Sequence, residues 1–153
     1  MMPMLQTILS DLYERDLNKL KSEIEQYSDE ADLWKKAGSI PNSGGNLCLH
    51  LCGNLRHFIG AVLGESGYVR DRDLEFANEG VSRATLLGEI DATIADVVGT
   101  LEKLTDETLA SDYPIDVFGK GAFKTDWFLV HLATHFNYHL GQVDYHRRSI
   151  AAQ

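Results

Sequence analysis

Histidine recurs every fourth residue near the C-terminal end of this chain, at His131, His135 and His139, inside a run whose apolar residues keep helical spacing. A helix turns by about 100° per residue, so neighbours in this series share one face. A buried imidazole without a partner is costly. Several on one inward face ask for a common partner, and a metal ion is the leading candidate. A second pair, His50 and His57, lies far upstream in another apolar run. A common partner requires a fold in which two distant helices turn their histidines toward one point.

The rest of the chain supplies the helices for such a fold. Leu5, Ile8, Leu9, Leu12, Leu20 and Ile24 repeat at helical spacing and predict an amphipathic helix from about Leu5 to Tyr27. A loop follows, through Ser28 and on to Pro41 and the Gly44-Gly45 pair, which are strong breakers. Trp34 is expected to anchor this loop to the core. A second helix is predicted from near Asn46 through Val62, with Gly64 as its stop signal. The charged stretch Glu65 to Gly80 reads as a solvated connection. Ser82 caps a third helix with Leu86, Leu87, Ile90, Ile94, Val97, Val98, Leu101 and Leu104 as its stripe. Asp112 to Gly121 breaks the period with Pro114, Gly119 and Gly121, and predicts a short extended segment or hairpin. Thr125 is the expected cap of the fourth helix, with Asp126 adding negative charge at its positive end. That helix should run to about Ser149. Four long helices and little strand signal predict an all-α fold, a four-helix bundle with long connections, as one domain over residues 1–153. Connections of roughly fifteen residues are longer than usual and permit other paths than plain up-down-up-down.

Composition removes several function classes. Apolar residues make up 44 % of the chain and charged residues 24 %, ordinary values for a globular protein. The net charge is −9 and no Lys/Arg cluster stands out, which argues against nucleic-acid binding. No apolar run approaches the ~20 residues of a membrane span. The first ten residues lack a basic region and soon become acidic, so no signal peptide is expected and the cytoplasm is the expected location. Cys48 and Cys52, at i and i+4 on a helix, argue against a disulfide framework. They read as two small buried residues, with metal ligation as the alternative.

Spacing narrows the histidine chemistry. His135 and His139 lie about 40° apart in projection and can grip one ion from adjacent turns. His131 lies a further ~40° round and suits a place beside the ion or in the pocket wall. His50 and His57 are about 10 Å apart along the helix axis, so only one can join the same ion. His50, flanked by Leu49 and Leu51, is the favoured one. His146, beside Arg147 and Arg148, reads as partly solvated or at a subunit contact. Satisfied core histidines without an ion are the alternative to the whole scheme. No HExxH occurs, and no histidine has a carboxylate three residues earlier, so neither the zincin nor the di-iron bundle pattern is present. No GxSxG elbow or P-loop occurs either. Three neutral imidazoles leave open positions on zinc or nickel, where a water or thiol can be activated. Asn54, Tyr138 and Gln142 are candidate pocket residues by position. A polar interhelix contact and a core aromatic are the plain alternatives for the last of these and for Tyr138.

The run Val130-His-Leu-Ala-Thr-His-Phe-Asn-Tyr-His-Leu-Gly-Gln-Val143 resembles the closing helix of the DinB/YfiT-like superfamily of metalloenzymes. Pro41-Asn-Ser-Gly-Gly-Asn-Leu-Cys-Leu-His50-Leu-Cys-Gly-Asn-Leu-Arg-His57 resembles its second helix. The likeness covers essentially the whole chain. It implies a bundle with non-standard connections and one divalent ion held by His50, His135 and His139. His131 and His57 are extra to that pattern. Characterised relatives include thiol-dependent transferases that use low-molecular-weight bacterial thiols, and a thiol-dependent isomerase. The resemblance therefore implies a metal-dependent enzyme of the thiol S-transferase or hydrolase type acting on a small molecule. Non-catalytic metal binding, as a sensor or structural site, is the alternative. A fourth protein ligand, such as Cys52 or His131, would favour that alternative. A two-fold homodimer through exposed helix faces is the expected assembly.

Overall fold

The computed structural model describes residues 4–151. Six α-helices occur among them: α1 (Met4–Gln26), α2 (Gly44–Leu55), α3 (Arg72–Ala77), α4 (Arg83–Leu101), α5 (Asp106–Ala110) and α6 (Thr125–Ala151). A 3-10 turn at Glu30–Trp34 precedes α2, and a π-helical segment, Arg56–Ala61, continues it. No strand forms among the described residues. The long helices α1, α2, α4 and α6 make the predicted bundle.

Packing explains the long connections. α1 lies against α4 and α6, and α2 lies against the same two, while α1 and α2 barely touch. Successive helices α1 and α2 therefore sit on a diagonal, and so do α4 and α6. A chain crossing the bundle end needs more residues than one turning back on a neighbour. The core runs through Leu17, Leu20 and Ile24 of α1, Leu51 and Leu55 of α2, Ile90 and Val97 of α4, and Leu129 and Phe136 of α6, all nearly inaccessible. Burying each such side chain contributes roughly 2 kcal/mol. The Tyr13 hydroxyl donates to the Leu129 carbonyl at 2.6 Å and fastens α1 to α6. Ile8, expected in the stripe of α1, is exposed instead.

Several local expectations change. Helix α2 begins two residues early because the Ser43 side chain accepts from the Asn46 N–H at 3.2 Å. Gly44 and Gly45 thus lie inside the helix rather than in a turn. They are glycine for space: a Cβ on Gly44 would collide with the Tyr27 hydroxyl, and one on Gly45 would come within 2.8 Å of the Trp34 ring. Trp34 is packed against the core, as expected. Thr125 does not cap α6. It is already helical, and the Lys124 carbonyl accepts the first helical bond from Phe128 at 3.0 Å. The hairpin expected at Asp112–Gly121 is reduced to one isolated bridge, Asp112 with Lys124, that pinches the loop shut. Cys48 and Cys52 are buried and free, in agreement with their plain reading.

The segment Glu65–Gly80 is not a solvated loop throughout. Asp71 caps α3, its side chain accepting from the Leu74 N–H, and α3 packs on α2. Its Glu75 is 6 % exposed. A carboxylate so buried needs partners, and those partners lie at the histidines.

Candidate metal centre

His50 projects from α2, and His135 and His139 from α6, which packs beside it. One ring nitrogen from each lies within 4.8 Å of the other two. His50 Nε2 and His135 Nε2 are 3.2 Å apart, and the His50 ring stands edge-on to both others. Two nitrogens on one tetrahedral zinc are about 3.3 Å apart, given bonds near 2.0 Å. The closest pair already has that separation.

Two of the three rings are oriented by a neighbour. His50 Nδ1 donates to Glu75 Oε1 at 3.1 Å, which leaves the Nε2 lone pair facing the cluster. Glu75 is held by Arg70, whose Nε and Nη2 donate to its two oxygens at 2.8 and 2.9 Å. Gly53 makes this possible, because a Cβ there would collide with the Glu75 carboxylate. His139 Nδ1 donates to Gln142 Oε1 at 2.7 Å, again leaving Nε2 free. His135 Nδ1 is buried with no hydrogen-bond partner among the described residues. A carboxylate behind a histidine fixes its tautomer and raises its basicity as a ligand.

The electrostatics favour neutral rings at His135 and His139. Burial, and then the His139, His50 and His131 imidazoles and Arg70, push the His135 pKa down to about 4. His139 is lowered chiefly by burial, against the opposing pull of Gln142. Burial raises the Glu75 carboxyl, but its hydrogen bonds with His50 and Arg70 outweigh that and hold it below the ordinary carboxylate range. Glu75 is therefore an anion near neutral pH. Neutral imidazoles backed by an anion form a donor set suited to a divalent ion.

The other sequence-predicted residues divide. His57 stays outside the cluster, with its ring against Phe58 at 4.8 Å. His131 takes the wall position, stacked on Trp127 at 5.2 Å and 7°. Neither it nor Cys52 belongs to the cluster. His146 is neither solvated nor at a free surface: it is 3 % exposed, with Nδ1 at 2.6 Å from the Tyr27 hydroxyl and Nε2 at 2.7 Å from the Lys35 carbonyl. Asn54 shares with the three histidines a cleft of about 560 Å³. Tyr138 and Gln142 line a neighbouring cleft of about 590 Å³, and His139 borders both. Glu75 and Arg70 are the site residues that sequence reasoning missed.

A four-helix bundle with clustered histidines on its second and last long helices is consistent with the DinB/YfiT-like superfamily. No curated protein matches the sequence. Residues 5–153 match the family described as "Protein of unknown function (DUF1572)", and the chain belongs to that family.

Proposed function

We propose that His50, His135 and His139 hold one divalent ion, zinc or nickel, and that the protein is a metal-dependent enzyme of the thiol S-transferase or hydrolase type. The observation that carries this reading is the convergence of three imidazole nitrogens at the wall of an open cleft. Three ligands beside a cleft leave room for an exchangeable one, as catalytic sites require. When bound, the ion supplies Lewis acidity, lowering the pKa of a water or thiol beside it.

The chain's own residues do the rest. Glu75 and Gln142 orient two of the three rings. Phe58, Phe118 and Phe128 line the cleft and limit water. His131 lines it too, stacked on Trp127, and serves as part of the pocket wall. The co-substrate in this reading is a low-molecular-weight thiol and the second substrate a small electrophile, with Asn54, Tyr138 and Gln142 bordering the space they enter. We assign the whole chain to one domain, working as a cytoplasmic homodimer. Metal binding without turnover, as a sensor or structural site, is the weaker reading, because the cleft is open and Cys52 and His131 lie outside the cluster.

The test is elemental analysis of the purified protein, followed by a screen of thiols against electrophiles with the metal-loaded form. About one zinc or nickel ion per chain, and thiol consumption that stops on chelation, are the expected results. No bound ion and no metal-dependent rise in melting temperature would remove the proposal.

A further inference from the structure

The charge in the cleft is opposite to that of the chain. The whole sequence carries −9, yet no carboxylate is found among the described residues that line the cleft. Its permanently charged lining groups are Arg70 and Arg72. Arg70 is committed to Glu75. Arg72 is not. It is exposed, its guanidinium lies 5.2 Å from the centre of the Phe76 ring, and it makes no ion pair or hydrogen bond among the described residues. Arg15, Arg56, Arg147 and Arg148 each donate to a carboxylate, and Arg83 donates to two backbone carbonyls. In so acidic a chain, an arginine without an acceptor is the exception. Phe76 also packs on His50 at 4.8 Å, so one aromatic ring separates Arg72 from the metal cluster.

Asn54 adds a second unmet need. It is 7 % exposed, and its carboxamide makes no hydrogen bond among the described residues. Whichever way the amide is turned, a buried hydrogen-bonding end lacks a partner, at a cost of about 1–3 kcal/mol. Phe58, Phe118 and Phe128 give the same cleft an apolar wall.

We infer that the cleft takes a small carboxylate carried on an apolar body, with Arg72 pairing the carboxylate, Asn54 hydrogen-bonding a polar group of the ligand, and the phenylalanines packing the body. This rests on reading the cleft as the substrate site of the metal centre. Phe76 lies within cation–π range of the guanidinium and makes no hydrogen bond with it, so its N–H groups are left for a planar, two-oxygen acceptor. In the zinc-free cleft, one unpaired guanidinium matches one carboxylate charge better than the double charge of a phosphate monoester.

The experiment titrates zinc-loaded protein with phenylacetate, phenylacetamide and phenyl phosphate, by calorimetry or by NMR. Phenylacetate should bind roughly ten-fold more tightly than the amide, the worth of one charge-assisted pair. Arg72→Gln should reduce that ratio to about three-fold or less, with zinc content unchanged. Equal binding of acid and amide, tighter binding of phenyl phosphate to the zinc-free protein, binding of none of the three, or an unchanged ratio in Arg72→Gln overturns the inference. The same titrations on zinc-free protein separate the two readings. If zinc does not bind but the Arg72-dependent preference persists, the metal reading fails alone. If zinc binds and the preference is missing, the carboxylate inference fails alone.

Discussion

His135 and His146 project from the same helix into the same bundle and meet opposite fates. The His146 ring has both nitrogens occupied, one by the Tyr27 hydroxyl and one by the Lys35 carbonyl. The His135 ring has one nitrogen facing another imidazole at 3.2 Å and the other buried with no partner. The first is a structural tie, holding the segment after α1 against α6. The second is an arrangement that protein atoms alone leave unsatisfied. Burial of a histidine is therefore no guide to its role. What separates the two is whether the chain itself completes the hydrogen bonding.

Substitution should break this contrast most sharply at the ligands. His135→Ala is expected to lower the ion content from about one per chain to near zero. It should also abolish the stabilisation by added zinc, which is about 4 kcal/mol when free zinc is a thousand times its dissociation constant. Elemental analysis and melting curves with and without zinc measure both. His146→Ala should keep the ion but lose about 3 kcal/mol of stability in urea unfolding, because the Tyr27 hydroxyl and Lys35 carbonyl are left without their partner. Equal loss of zinc from both variants would show that the distinction is false. Glu75→Gln should weaken zinc by about ten- to a hundred-fold in a chelator competition, with little change in stoichiometry. Gly53→Ala, which crowds the Glu75 carboxylate, should shift affinity in the same direction.

A further contrast is in pH. The folded His135 pKa, about 4, lies below the unfolded value of about 6.5. Between those values the unfolded chain binds more protons, so stability rises with pH across that window and is lost as pH falls. Metal-free protein should melt progressively lower from pH 6.5 toward pH 4, and His135→Gln should flatten that slope.

The sequence made the bundle and the histidine geometry legible for the same reason. Helical spacing orders both apolar stripes and ligands, so Leu129, Leu132, Phe136 and His135 report one helix phase. The Ser82 cap was equally visible, because capping chemistry is local. Glu75 was hidden because it follows the charged run Arg70–Asp73, and burial there is decided by tertiary packing against α2. One signal was present: Asp71, three residues before Leu74, with Phe76 a lone aromatic among charges. His146 was disguised by Arg147 and Arg148, although its spacing from Val143 and Ile150, both buried, placed it on the core face. The diagonal arrangement was foreshadowed only by loop length, since spacing within one helix says nothing about which neighbour it meets.

The π-helical segment after α2 has a consequence for how this scaffold can change. Its wider turn runs the Val62 N–H back to the His57 carbonyl at 3.0 Å, while the Phe58 carbonyl takes the Tyr113 hydroxyl at 2.5 Å. Removing one residue here would restore ordinary spacing and swing Phe58 through about 100°. The loop bearing Phe118 would come unfastened from it, while His50, a full helix segment upstream, kept its place. Single-residue insertions and deletions at this joint are thus a means to reshape the chamber and leave the three imidazoles standing.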